Sequence, residues 1–101
     1  MTSIDLDTRE RAIVEGILRR HVPEKRVLAF GSRARGTAKP YSDLDLAIVS
    51  DTAIPIGLMA ALTDAFSESD LRFKVDVVDW ATTSSEFRKI IERDAVVLAQ
   101  A

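Results

Sequence analysis

The sequence predicts an α/β fold, a small mixed β-sheet covered by helices in the order α-β-α-β-α-β-α. Two observations carry that prediction. Short runs of apolar and β-branched residues, at 26–30, 43–49 and 72–78, alternate with longer stretches whose apolar residues recur at helical spacing. A chain of 101 residues also suits one domain, residues 1–101, burying roughly two-thirds of its unfolded surface around one core.

The first helix runs from Asp7 to about Arg20. Asp7 and Glu10 stand three apart, as a capping pair does, and Ile13, Val14, Ile17 and Leu18 form its apolar stripe. Pro23 closes it, leaving His21 as a structural or exposed residue. The strand Arg26-Val-Leu-Ala-Phe30 ends at Gly31, where the chain turns, and Ser32 is placed to cap a short helix over 32–36. Ala38-Lys-Pro-Tyr-Ser42 is a connecting loop, in which Tyr41 either packs or lines the mouth of a site. Strand 43–49 follows. Pro55 then opens a helix with Ile56, Met59, Leu62 and Phe66 as its buried stripe. Strand 72–78 leads to Trp80, expected at the sheet edge. A last helix from about Ser85 to Glu92 buries Phe87, Ile90 and Ile91, and a short apolar tail, Val96-Val-Leu98, ends the pattern.

Composition narrows the setting. The chain has no cysteine, which excludes disulfides and favours a reducing compartment. Its apolar runs fall far short of the ~20 residues that span a bilayer, and no charged-then-apolar leader opens it, so a cytoplasmic protein without membrane contact is expected. A net charge of −2 argues against extended nucleic-acid binding.

The chemistry concentrates between Phe30 and Leu46. Gly31 lets the backbone turn sharply and approach a ligand closely. The following residues offer backbone N–H groups to an anion, and Arg33, Arg35 and Lys39 add positive charge. Asp43 and Asp45 then stand two apart on a strand, so they share a face while Leu44 and Leu46 enter the core. Two unneutralised carboxylates repel unless a cation joins them, and hard oxygen ligands of this kind suit Mg²⁺ completed by substrate phosphates. A third carboxylate is available in Phe73-Lys-Val-Asp-Val-Val-Asp79. With Phe73, Val75 and Val77 on the core face, Asp76 projects from the other, whereas Asp79 reads as a cap or surface acid.

Gly31-Ser32, ten intervening residues and Asp43-x-Asp45, with a later Val-Asp-Val strand, resemble the minimal nucleotidyltransferases, small members of the DNA polymerase β-like superfamily. Gly36, Ser42 and the pair Arg33 and Arg35 fit the same pattern over about residues 8–98. Asp94 departs from it, standing where the family would place a glycine. The resemblance implies a polymerase β-like nucleotidyltransferase fold and transfer of AMP from ATP, with two Mg²⁺ ions held by Asp43, Asp45 and Asp76. It implies Gly31 and Ser32 on the phosphates, with Arg33, Arg35 and Ser42 also contributing to nucleotide binding. The implied acceptor is a tyrosine of a HEPN ribonuclease toxin, which this chain would silence as the antitoxin of a type VII-like pair in a hetero-oligomer. A binding-only antitoxin, or an enzyme acting on a small molecule or an RNA end, are the alternatives.

Overall fold

The computed structural model describes residues 4–99. Its centre is a four-stranded mixed sheet in the order β3-β2-β1-β4, formed by β1 (Arg26–Phe30), β2 (Leu44–Val49), β3 (Val75–Asp79) and β4 (Val96–Ala99). Helices α1 (Thr8–His21), α2 (Ser32–Arg35), α3 (Ile56–Ser67) and α4 (Ser85–Asp94) connect and cover it, with a short 3₁₀ turn over Trp80–Thr82.

Alternation along the strands separates two apolar layers. Val27, Ala29, Leu44, Leu46, Ile48 and Val75 face the larger core, which α1 closes with Val14, Ile17 and Leu18 and α3 closes with Leu62 and Phe66. Leu28, Phe30 and Ala47 face the opposite way, under Ile91 and Phe87 of α4. Phe87 meets Phe30 edge to face, with ring centroids 5.8 Å apart.

The expected capping pair is present in both directions. Asp7 accepts from the Glu10 N–H at 2.7 Å, and Glu10 accepts from the Asp7 N–H at 3.0 Å. Glu10 is buried and also holds Arg72 at 3.0 Å, so the cap is tied to the chain entering β3. His21 bonds the Ile17 carbonyl through its ring, a structural role.

Four expectations need correction. The apolar tail is a fourth strand: Val96–Ala99 pairs antiparallel with the free edge of β1, with Leu28 opposite Val97. Gly31, not Ser32, occupies the position before α2, and Ser32 is the first helical residue. Ile56 is 88% exposed, because the buried stripe of α3 begins at Leu58 and Met59, within the reach of the sheet. Ile90 is exposed as well, since α4 turns Phe87 and Ile91 inward and carries Ile90 past the contact. Among the described residues no helix is long and apolar enough to cross a membrane.

Candidate active site

Strand register builds the site. Antiparallel β1 and β2 set Phe30 opposite Asp45, and parallel β2 and β3 set Asp45 opposite Asp76. Asp45 and Asp76 therefore stand side by side on the face that α4 covers further along, and Asp43 lies two residues back on the same face. Leu44 and Leu46, on either side of Asp45, are fully buried on the other face, which fixes the outward direction of the acids. The turn after β1 closes over Asp45. Gly31 has φ 77° and ψ −159°, a region open essentially to glycine alone, and a Cβ there would overlap the Asp45 carboxylate. Gly36, also at positive φ, ends α2 in a left-handed cap.

The charges are unbalanced. Burial, then the neighbouring charges of Asp76 and Asp43, push the Asp45 carboxyl above its ordinary value, against an opposing pull from Arg35. Lys74, two residues before Asp76 on the same face, holds Asp76 at 3.3 Å.

Comparison with known proteins fits this geometry. The family model described as polymerase beta, nucleotidyltransferase, matches residues 14–101. The chain belongs to the polymerase β nucleotidyltransferase family. It is 50% identical over 97 residues, 96% of its length and 85% of the relative's, to the probable protein adenylyltransferase MntA of Haemophilus influenzae. Among solved structures it is similar to a chain of a toxin–antitoxin with AMP-PNP, at a TM-score of 0.75 and 23% identity over 90% of this chain and 73% of the other. A second is a tri-AMPylated Shewanella oneidensis HEPN toxin in complex with MNT antitoxin, at a TM-score of 0.67 and 19% identity, covering 90% and 70%. At these identities the structural matches establish the fold.

The donor set of this nucleotidyltransferase fits magnesium. Three carboxylates supply only hard oxygen atoms, and the charges of Asp76 and Asp43 add to burial in pushing the Asp45 carboxyl up. Among the described residues no three such side chains converge tightly enough to enclose an ion unaided. Magnesium does not ask for that, since it keeps several waters and takes further oxygens from phosphates. The acids accordingly lie on an open shelf. The groove of about 670 Å³ between α1 and α3 is lined by none of them.

Two residues expected on the nucleotide are engaged by the protein itself. Arg33 is only 2% exposed, and its guanidinium is committed to backbone carbonyls. It donates to Ser42 at 2.9 Å, Asp5 at 2.7 Å, Pro40 at 2.9 Å and Lys39 at 3.4 Å, and lies 3.9 Å from the centre of the Phe73 ring. A fork of fixed donors is the one side chain able to hold these carbonyls at once. Ser42 belongs to the same lock, its hydroxyl accepting the Lys39 N–H at 2.8 Å. Arg33→Lys is expected to lower unfolding free energy by about 2–3 kcal/mol, because an ammonium leaves buried carbonyls unpaired. Urea melts measure the loss.

Arg35 differs from Arg33. It is exposed, close enough to act on Asp45, and paired with Asp94 at 3.0 Å. Asp79 is a cap, accepting from the N–H groups of Ile54 at 2.8 Å and Ala81 at 3.1 Å. Tyr41 stands in solvent, 74% exposed. The sequence reading missed Lys74, although strand alternation already places it on the face of Asp76.

Proposed function

We propose that this chain transfers AMP from ATP to a tyrosine hydroxyl of a partner HEPN toxin and so acts as its antitoxin. The observation that carries the reading is Asp45 beside Asp76 under the Gly31 turn, in a chain half identical to an adenylyltransferase across nearly its whole length. The toxin–antitoxin structures with AMP-PNP and with an AMPylated HEPN toxin share the fold and support the choice of nucleotide and acceptor.

Gly31 and Ser32 hold the β- and γ-phosphates with backbone N–H groups, and Arg35 adds charge beside them. Asp43, Asp45 and Asp76 would hold Mg²⁺, two ions in this reading, which neutralises charge developing on the phosphates. Asp76 accepts the proton of the attacking hydroxyl. The acceptor oxygen then bonds to the α-phosphorus as the bond from that phosphorus to the β-phosphate bridge breaks, and pyrophosphate leaves.

The test is transfer of label from α-³²P-ATP with Mg²⁺ to a co-expressed HEPN partner. A labelled partner band is expected, lost when its tyrosine is changed to phenylalanine. The Asp76→Asn enzyme should be slower by about 10²- to 10⁴-fold, the usual worth of a positioned base. Label in RNA or a small molecule would keep the enzyme and replace the acceptor. Toxin neutralisation with no transfer would point to action by binding alone.

A further inference from the structure

We propose that Asp94 is a positioning residue for nucleotide binding, holding the Arg35 guanidinium where the triphosphate of ATP meets it. The inference rests on the reading of Arg35 as the phosphate-facing arginine.

Topology brings the two residues together. β1 leads through Gly31 into α2, which ends at Arg35, and α4 ends at Asp94 just before β4 pairs with the other edge of β1. Their side chains meet at 3.0 Å, Arg35 Nη1 donating to Asp94 Oδ2, although they lie 59 residues apart in sequence. Arg93 reaches the same oxygen at 3.4 Å, but it is an immediate neighbour and 64% exposed, the weaker tether.

Local helix physics gives Asp94 no reason to be acidic. It occupies the last turn of α4, where the carbonyl end of the helix disfavours negative charge. Its side chain is nevertheless 12% exposed while that of Arg35 is 44% exposed, so the acid is the fixed member and the arginine the guided one. Partial desolvation pushes the Asp94 carboxyl up, but hydrogen bonds from Arg35 and then Arg93 outweigh it and hold the group below its ordinary range. One carboxylate oxygen engages one of the five guanidinium N–H donors, which leaves the others for phosphate. A free arginine must be ordered by the ligand. Here the protein orders it first, and the saving appears as affinity.

Binding of a fluorescent N-methylanthraniloyl ATP with Mg²⁺, together with steady-state kinetics, tests the proposal. Asp94→Ala is expected to weaken binding about 3- to 10-fold, the loss when one long side chain has to be ordered by the ligand. KM for ATP should rise with kcat changing much less, and Asp94→Glu should recover most of the loss. In an Arg35→Ala background, Asp94→Ala should have no further effect, whereas a merely structural role at the end of α4 would persist there. Unchanged or tighter binding by Asp94→Ala, with Arg35→Ala still weak, overturns the role of Asp94 and leaves that of Arg35 standing. Wild-type affinity in Arg35→Ala overturns both. Thermal melts of each variant separate these results from loss of fold.

Discussion

Asp45→Asn is expected to abolish AMP transfer and to raise the melting temperature of the nucleotide-free protein. Both effects come from the same crowding. Asp45 is flanked by Asp76 across the strand pair and Asp43 along the strand, under the Gly31 turn. Burial and then these like charges raise its carboxyl above the ordinary 3.8. An acid raised in the folded state binds its proton more readily there than in the unfolded chain. Its charge therefore costs stability above the unfolded value, and the cost fades as pH falls through the folded one. Asparagine removes the charge at every pH and keeps the shape. The stability advantage of the variant should be largest near neutrality and shrink on acidification. A domain of this size gains about 4–8 °C for each kcal/mol recovered. Added Mg²⁺ should stabilise the wild type and have a much smaller effect on the variant. Scanning calorimetry from pH 7 down to 4, with transfer assays alongside, reads all three effects. Transfer near the wild-type rate in Asp45→Asn would sink the site, and a lower melting temperature would sink the electrostatic account of it.

Gly31→Ala should fail for a steric reason. The backbone at Gly31 lies in a region that costs an L-residue on the order of 1–3 kcal/mol. The new methyl would also collide with the Asp45 carboxylate, so either the turn opens or Asp45 rotates away. A displacement of about 1 Å at a reacting centre can cost about 10²-fold in rate, and a loss of at least that size is expected, with a lower melting temperature. Gly16→Ala is the control. It lies inside α1 with no heavy atom within 4 Å of the new Cβ, and it should gain about 0.5–1 kcal/mol at full activity. Equal losses in both variants would mean that the turn carries no special geometry.

The acids were legible because strand alternation is a rule with few exceptions. Asp43, Asp45 and Asp76 could be assigned a common face from the buried leucines and valines beside them, and the register bears that out. The Asp7–Glu10 cap was legible for a similar reason, since its partners lie one turn apart. The roles of Arg33 and Arg35 were not. Two residues apart in one basic turn, they look alike in sequence, and only the fold of the 38–42 loop decides that Arg33 is enclosed by carbonyls. β4 was missed because four apolar residues become a strand only when an open edge is waiting, and that edge belongs to β1. The expected burial of Ile56 and Ile90 erred for a related reason. Periodicity names a helix face, but not how far along the helix its neighbour extends.

The pairing of β1 with β4 also has a consequence in time. Folding during synthesis can assemble β1, β2 and β3 as their segments emerge, bringing Asp45 and Asp76 together early. The flank of β1 stays open until the segment after α4 appears, because Leu28 and Ala29 take their partners from Val97 and Val96. An unpaired, apolar strand edge invites the wrong neighbour. A nascent chain that has emerged only as far as β3 would therefore display three paired strands beside an adhesive edge, and it is the later emergence of α4 and β4 that covers it.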